Sequence, residues 1–192
     1  QGCLEKVGSP DEVLDYYNAL IAERENSTVT QIKMENGMTQ TISGTGEAKV
    51  EQIALYNTKG EQVVLVAVGE TVDIRIKVRI NAPIPQLVLG YMIKDRLGQP
   101  IFGTNTWYTE QVVKDCNTND LWEYLVRFPM NLGPGSYSIT TALTETDSHV
   151  ARSYEWRDLA IVFDVLNTEK THFAGCTWLD QKISISLVHS EK

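Results

Sequence analysis

Between Thr71 and Asn81 the chain alternates. Val72, Ile74, Ile76, Val78 and Ile80 fall on one side, and Asp73, Arg75, Lys77 and Arg79 fall on the other. A period of two built from β-branched residues marks an extended strand with one face on a core and one in water. A sheet with one apolar face must bury it against another layer. Function in such a chain is left to an outer sheet face or to the loops.

The same pattern recurs along the chain. It predicts strands over 48–56, 62–67, 71–81, 86–94, 100–106, 121–130, 136–144, 154–166 and 182–188. Turn chemistry separates them at Thr58-Lys59-Gly60, Val68-Gly69-Glu70, Leu97-Gly98-Gln99 and Leu132-Gly133-Pro134-Gly135. No helix-length pattern interrupts the strands. The expectation is an all-β fold, an immunoglobulin-like antiparallel β-sandwich over 47–192.

Two segments precede it. Ser9-Pro10-Asp11-Glu12 reads as a helix start, with Ser9 as N-cap, Pro10 at N1 and Glu12 closing a capping box. Val13, Leu14, Tyr17, Leu20 and Ile21 follow at helical spacing, which predicts one amphipathic helix over 10–25 within a connector of 1–26. Residues 27–46 are polar and carry Asn36-Gly37 and Ser43-Gly44-Thr45-Gly46, which reads as a flexible linker.

Charge and cysteine content remove several function classes. A net charge of -8 argues against nucleic acid or an anionic membrane as the main partner. Arg75, Lys77 and Arg79 read as the solvated face of a strand. Three cysteines, Cys3, Cys116 and Cys176, are too few and too scattered for a disulfide framework or a CxxC metal site, and suit reduced thiols. The longest apolar runs are strand length, short of the roughly 20 residues that span a bilayer. The opening Gln-Gly-Cys-Leu has no initiator Met and no apolar leader, which suggests a piece of a longer protein.

Catalytic signatures are missing. There is no phosphate-binding Gly-x-x-x-x-Gly-Lys-Ser/Thr loop, no Gly-x-Ser-x-Gly and no His-Glu-x-x-His. His149, His172 and His189 have no ligand-like spacing. Glu145 and Asp147 read as a solvated turn rather than an acid/base pair flanking a cleft. No catalytic residue, metal or cofactor is expected in this fragment.

What the alternation does offer is a face. With Leu89, Tyr91 and Ile93 inward, Gly90, Met92 and Lys94 point out. With Tyr137, Ile139, Thr141 and Leu143 inward, Ser138, Thr140 and Ala142 point out. A floor of Gly, Ser, Thr and Ala is shallow and hydroxyl-rich, and Trp107, Tyr108, Tyr154 and Trp156 stand at strand ends where they can wall it. Aromatic rings pack on the C–H faces of sugars while polar ends bond the hydroxyls. The candidate carbohydrate-binding residues are Met92, Asn105, Ser138, Thr140 and Trp156, with Trp107 and Arg157 at the rim. The acidic balance suits a neutral glycan; a phosphate would need a local cation, which Lys94, Arg152 or Arg157 can supply.

Two stretches carry a family resemblance. Residues 8–17, Gly-Ser-Pro-Asp-Glu-Val-Leu-Asp-Tyr-Tyr, resemble the exit from the ATPase domain of a polysaccharide-export ABC transporter. Residues 90–106, Gly-Tyr-Met-Ile-Lys-Asp-Arg-Leu-Gly-Gln-Pro-Ile-Phe-Gly-Thr-Asn-Thr, with Leu-Gly-Pro-Gly-Ser-Tyr-Ser-Ile at 132–139, resemble the C-terminal domain of Wzt, the ATP-binding subunit of O-antigen ABC exporters. The resemblance implies a non-catalytic module that recognises O-polysaccharide at the cytoplasmic face and couples its capture to export. It implies a homodimer beside the membrane subunit and the protein's own ATPase domain, peripheral to the inner membrane. The isolated strand expected at 182–188 would suit exchange between protomers. The competing expectation is a structural dimerisation or docking domain without glycan binding.

Overall fold

The computed structural model describes residues 7, 28–34, 37–147 and 152–187. The expected helix over 10–25 lies outside the described residues, as do His149 and His189.

Eleven strands are present: β1 Thr28–Lys33, β2 Thr39–Gly44, β3 Ala48–Tyr56, β4 Leu65–Ala67, β5 Thr71–Ile80, β6 Ile84–Asp95, β7 Pro100–Asn105, β8 Val113–Cys116, β9 Leu121–Pro129, β10 Gly135–Thr144 and β11 Ser153–Leu166. They form a large sheet in the order β1-β2-β11-β10-β6-β7, with β4 added to β11 and β8 to β6, and a small sheet in the order β3-β5-β9. Every pairing is antiparallel except that of β4 with β11.

One apolar cluster draws on both sheets. Val72, Ile74, Ile76, Val78 and Ile80 of β5 are all buried, as are Leu87, Leu89 and Ile93 of β6, Tyr137, Ile139 and Leu143 of β10, and Phe163 and Val165 of β11. β5 is the middle strand of the small sheet, so its alternation is sharp. Each of its inward side chains contributes about 1.5–3 kcal/mol by leaving water.

The polar face of β5 is tied down rather than merely solvated. Arg127 donates to both carboxylate oxygens of Asp73, at 2.6 and 2.8 Å, and Arg75 lies 3.9 Å from the same carboxylate. Arg79 pairs with Glu51 at 2.7 Å, and the Arg75 guanidinium stacks 4.3 Å from the Tyr56 ring centre.

Three expectations need correction. Residues 27–46 are not a linker for most of their length. β1 and β2 pair along six residues, and β2 joins β11 at Ser43 and Ile42. β1 is exposed throughout, so burial imprints no alternation on its sequence. Gly44 is required there: it has φ of 141°, and a Cβ would stand 2.3 Å from the Tyr154 carbonyl oxygen. β8 is absent from the expected strands because four residues on the end of β6 carry too short a pattern. Finally, 182–187 form no strand. Ile183, Ile185 and Leu187 alternate as a strand would, but among the described residues they stay 80–95 % exposed.

Candidate functional site

Register across the large sheet builds the site. Trp156 of β11 pairs with Ala142 of β10, Ala142 with Gly90 of β6, and Gly90 with Asn105 of β7. One step along, Thr140 pairs with Met92 and Met92 with Gly103. Paired residues point to the same side of a sheet, so these seven side chains share the face turned away from the small sheet. Three strand gaps separate Trp156 from Asn105, about 14 Å. The floor is low: Ala142 and Gly90 lie between them, with Thr140 and Gly103 one step along.

The result is a trough of about 670 Å³, bordered by Gly90, Met92, Gly103, Asn105, Tyr108, Thr140, Ala142, Asp147 and Trp156 among others. Trp156 forms one wall. Asn105 and the mostly exposed Tyr108 form the other. Asn105 shapes its own wall: its Oδ1 accepts the backbone N–H groups of Trp107 and Tyr108 at 3.1 and 3.0 Å. That fixes the turn after β7 and leaves the Asn105 NH2 as the end it can offer a ligand.

An ion pair stands beside the trough, anchored on Thr140. β11 carries extra residues opposite Thr140, since Ile139 pairs with Ile161 while Thr141 pairs with Arg157. Leu159 takes a positive φ of 47° in this irregularity. The bulge brings Asp158 to Thr140, where its Oδ1 accepts from Thr140 Oγ1 at 2.5 Å and from Lys94 Nζ at 2.9 Å. Burial works to raise the Asp158 pKa, but the Thr140 and Lys94 hydrogen bonds outweigh it and hold the carboxyl below its usual value. Lys94 Nζ also lies 5.9 Å from the Trp156 ring centre.

Of the seven residues expected at a sugar face, Met92, Asn105, Thr140 and Trp156 border the trough. Ser138 shares the face but pairs with Lys94 and Val162 one step further along and is buried outside the trough. Trp107 sits 39 % exposed in the turn after β7 and does not border it. Arg157 is on the opposite side of β11, not at the rim. It donates to the Val50 carbonyl at 2.8 Å and to buried Glu155 at 3.1 Å, and Glu155 accepts the Val50 N–H at 3.1 Å. Its neighbour Trp156 points into the trough, and adjacent strand residues point to opposite faces, so the sequence alone carried that signal. Tyr154, expected as a wall, lies in the core with its hydroxyl on the Gln86 carbonyl, because the ladder slips between Leu143 and Thr144.

A glycine inside a strand ordinarily serves close strand approach or turn geometry. Gly90 and Gly103 serve neither, and the backbone does not require glycine at either place. Neither has a positive φ, and a Cβ at either would make only ordinary contacts, no nearer than 3.5 Å. Among the described residues no cluster of His, Cys, Asp and Glu could hold a metal, and no helix is long and apolar enough to cross a membrane.

Comparison with known families follows the same residues. The profile described as the Wzt C-terminal domain matches 39–179, a span that contains β2 through β11 and the whole trough. The chain belongs to the Wzt C-terminal domain family. The crystal structure of the C-terminal domain of Wzt superposes with a TM-score of 0.67 at 18% identity, covering 77% of this chain and 89% of that one. At that identity the likeness speaks for the fold. A Niemann-Pick type C2 protein from Japanese carpenter ant reaches 0.44 at 11% identity, over 64% of this chain and 96% of that one, and carries no argument. No curated protein matches the chain by sequence. Family membership supports a role in O-antigen ABC transport.

Proposed function

We propose that this chain is a non-catalytic carbohydrate-recognition module, an immunoglobulin-like β-sandwich that takes O-antigen polysaccharide at the cytoplasmic face and couples its capture to export. The observation that carries the reading is the trough: a floor of Gly, Ala and Thr between Trp156 and Tyr108, on the outer face of the larger sheet of a Wzt-family domain. Its walls supply apolar ring faces, and the Asn105 NH2 supplies a polar anchor, the division of labour small-ligand sites use. In the whole protein the module would sit beside its own ATPase domain and the membrane subunit, peripheral to the inner membrane.

The test is a titration of the chain with O-polysaccharide from its source strain, followed by Trp fluorescence. A saturable change that weakens about tenfold in Trp156→Ala supports the reading. No response at saturating polymer removes it.

A second reading, a dimerisation domain, draws on the tail. Ile183, Ile185 and Leu187 form a period-two apolar row that joins no sheet among the described residues. A second copy would offer that row a free strand edge, and the two roles are compatible in one molecule.

A further inference from the structure

We infer that the trough selects an uncharged stretch of sugar, with its depth set by Gly90 and Gly103 and its charge preference by the ion pair of Lys94 with Asp158. The inference rests on the carbohydrate reading and specifies its ligand class.

Charge comes first. Asp147 is the one formally charged side chain among the described residues that border the trough. The three cations expected from the sequence to serve an anionic substituent are all engaged. Lys94 is held by Asp158, which Thr140 also ties down. Arg152 pairs with Glu47. Arg157 is turned through the sheet to Glu155 and the Val50 carbonyl. A phosphate or uronate lying on the floor would face the Asp147 carboxylate, with the Asp158 carboxylate beside Thr140, and none of these three cations is left unengaged to answer it. Burying an unpaired anion is costly. A neutral sugar meets no such barrier, since hydroxyls can donate to Asp158 and Asp147 and accept from the Asn105 NH2.

Depth comes second. Glycine within a strand weakens it and is ordinarily explained by a bulge or a close backbone approach. Neither applies here. Gly90 is flanked by the β-carbons of Ala142 and Asn105, and Gly103 by Met92, all at ordinary contact distance from where a methyl group would stand. What the two missing methyls leave open is the floor itself, between the Trp156 wall and the Asn105 wall. An added Cβ at either position would rise into the space a pyranose ring needs while leaving the sheet intact.

The experiment is a Trp-fluorescence titration of the full chain against two sets of probes. The neutral set is oligosaccharides of glucose, galactose, mannose and rhamnose; the anionic set is oligogalacturonate and a phosphorylated mannose oligomer. The variants are Gly90→Ala, Gly103→Ala and their double, with Gly103→Leu reaching further into the trough and Lys59→Ala as a control on an exposed turn. Melting curves check that each variant folds. At least one neutral probe should bind, weaken at least tenfold in the double variant, and keep its affinity in Lys59→Ala. Equal affinity in the folded double and Gly103→Leu variants overturns the depth assignment. Tighter binding of an anionic probe, weakened in Trp156→Ala, leaves the carbohydrate reading standing and overturns the charge assignment. No binding by any probe removes the carbohydrate reading and this inference with it.

Discussion

Thr140 donates its hydroxyl to Asp158 Oδ1 at 2.5 Å, across the one place where β11 carries extra residues against β10. Without that irregularity Asp158 would follow the ladder and would not reach Thr140. The contact therefore joins a backbone defect to the chemistry beside the trough, and it holds Lys94 in place as well.

Asp158→Ala should release Lys94 beside the trough. The expected outcome is a gain in affinity for oligogalacturonate that fades as salt rises, because an exposed ammonium is screened within about 8 Å at physiological ionic strength. Titration at two salt concentrations checks it; an unchanged response at low salt contradicts it.

Trp156→Ala should weaken glycan binding about tenfold, equivalent to about 1.4 kcal/mol and within the range of an aromatic contact. Its side chain borders the trough and is outside the core cluster, so the melting temperature should move little. Paired calorimetric and binding measurements separate the two effects.

Asp73 gives the fold an acid limit. Its hydrogen bond from Arg127 is the largest influence and lowers its pKa, against burial, with the charges of Arg127 and Arg75 adding to the lowering. A depressed carboxyl stabilises the fold fully above its unfolded value of about 3.9, and the contribution is lost as pH falls through the lower folded value. Asp73→Asn should melt below the parent at pH 7, with the gap narrowing below about pH 4. Melting curves from pH 3 to 7 test this.

Glu155 and Arg157 tie β11 to β3 at the β3 bulge between Val50 and Gln52. Glu155→Ala leaves the Val50 N–H unanswered and the Arg157 charge without its carboxylate in a buried setting, with only the Val50 carbonyl still accepting from it, a loss of about 3 kcal/mol. For a domain of this size that is a fall of roughly 6–12 °C in Tm. Replacing both by Met should recover part of it, since the partnerless charge goes too.

Removing 180–192 should convert a dimer to a monomer in sedimentation without unfolding the chain. Trp178, whose backbone N–H donates to the Asn131 carbonyl and whose ring meets Phe173 at 5.2 Å, is kept. A truncation starting at Phe173 would remove that packing and confuse the two effects. A truncated chain that still sediments as a dimer contradicts the tail's role.

The sequence by itself determined which way the strands face. Alternation is a steric property of neighbouring residues, so Ile74 and Ile76 of β5, Leu89 of β6 and Ile139 of β10 announce their burial locally, and with it the outward turn of Gly90, Thr140 and Ala142. Even the placement of Arg157 opposite Trp156 was legible from parity. The tertiary structure alone decided the rest. Whether Gly90 falls between Ala142 and Asn105, whether Asp158 reaches Thr140, and whether Tyr154 slips into the core depend on which distant strands become neighbours and where their ladders break. The β1–β2 hairpin stayed hidden for a related reason: a strand exposed on both faces has no burial to write into its residues.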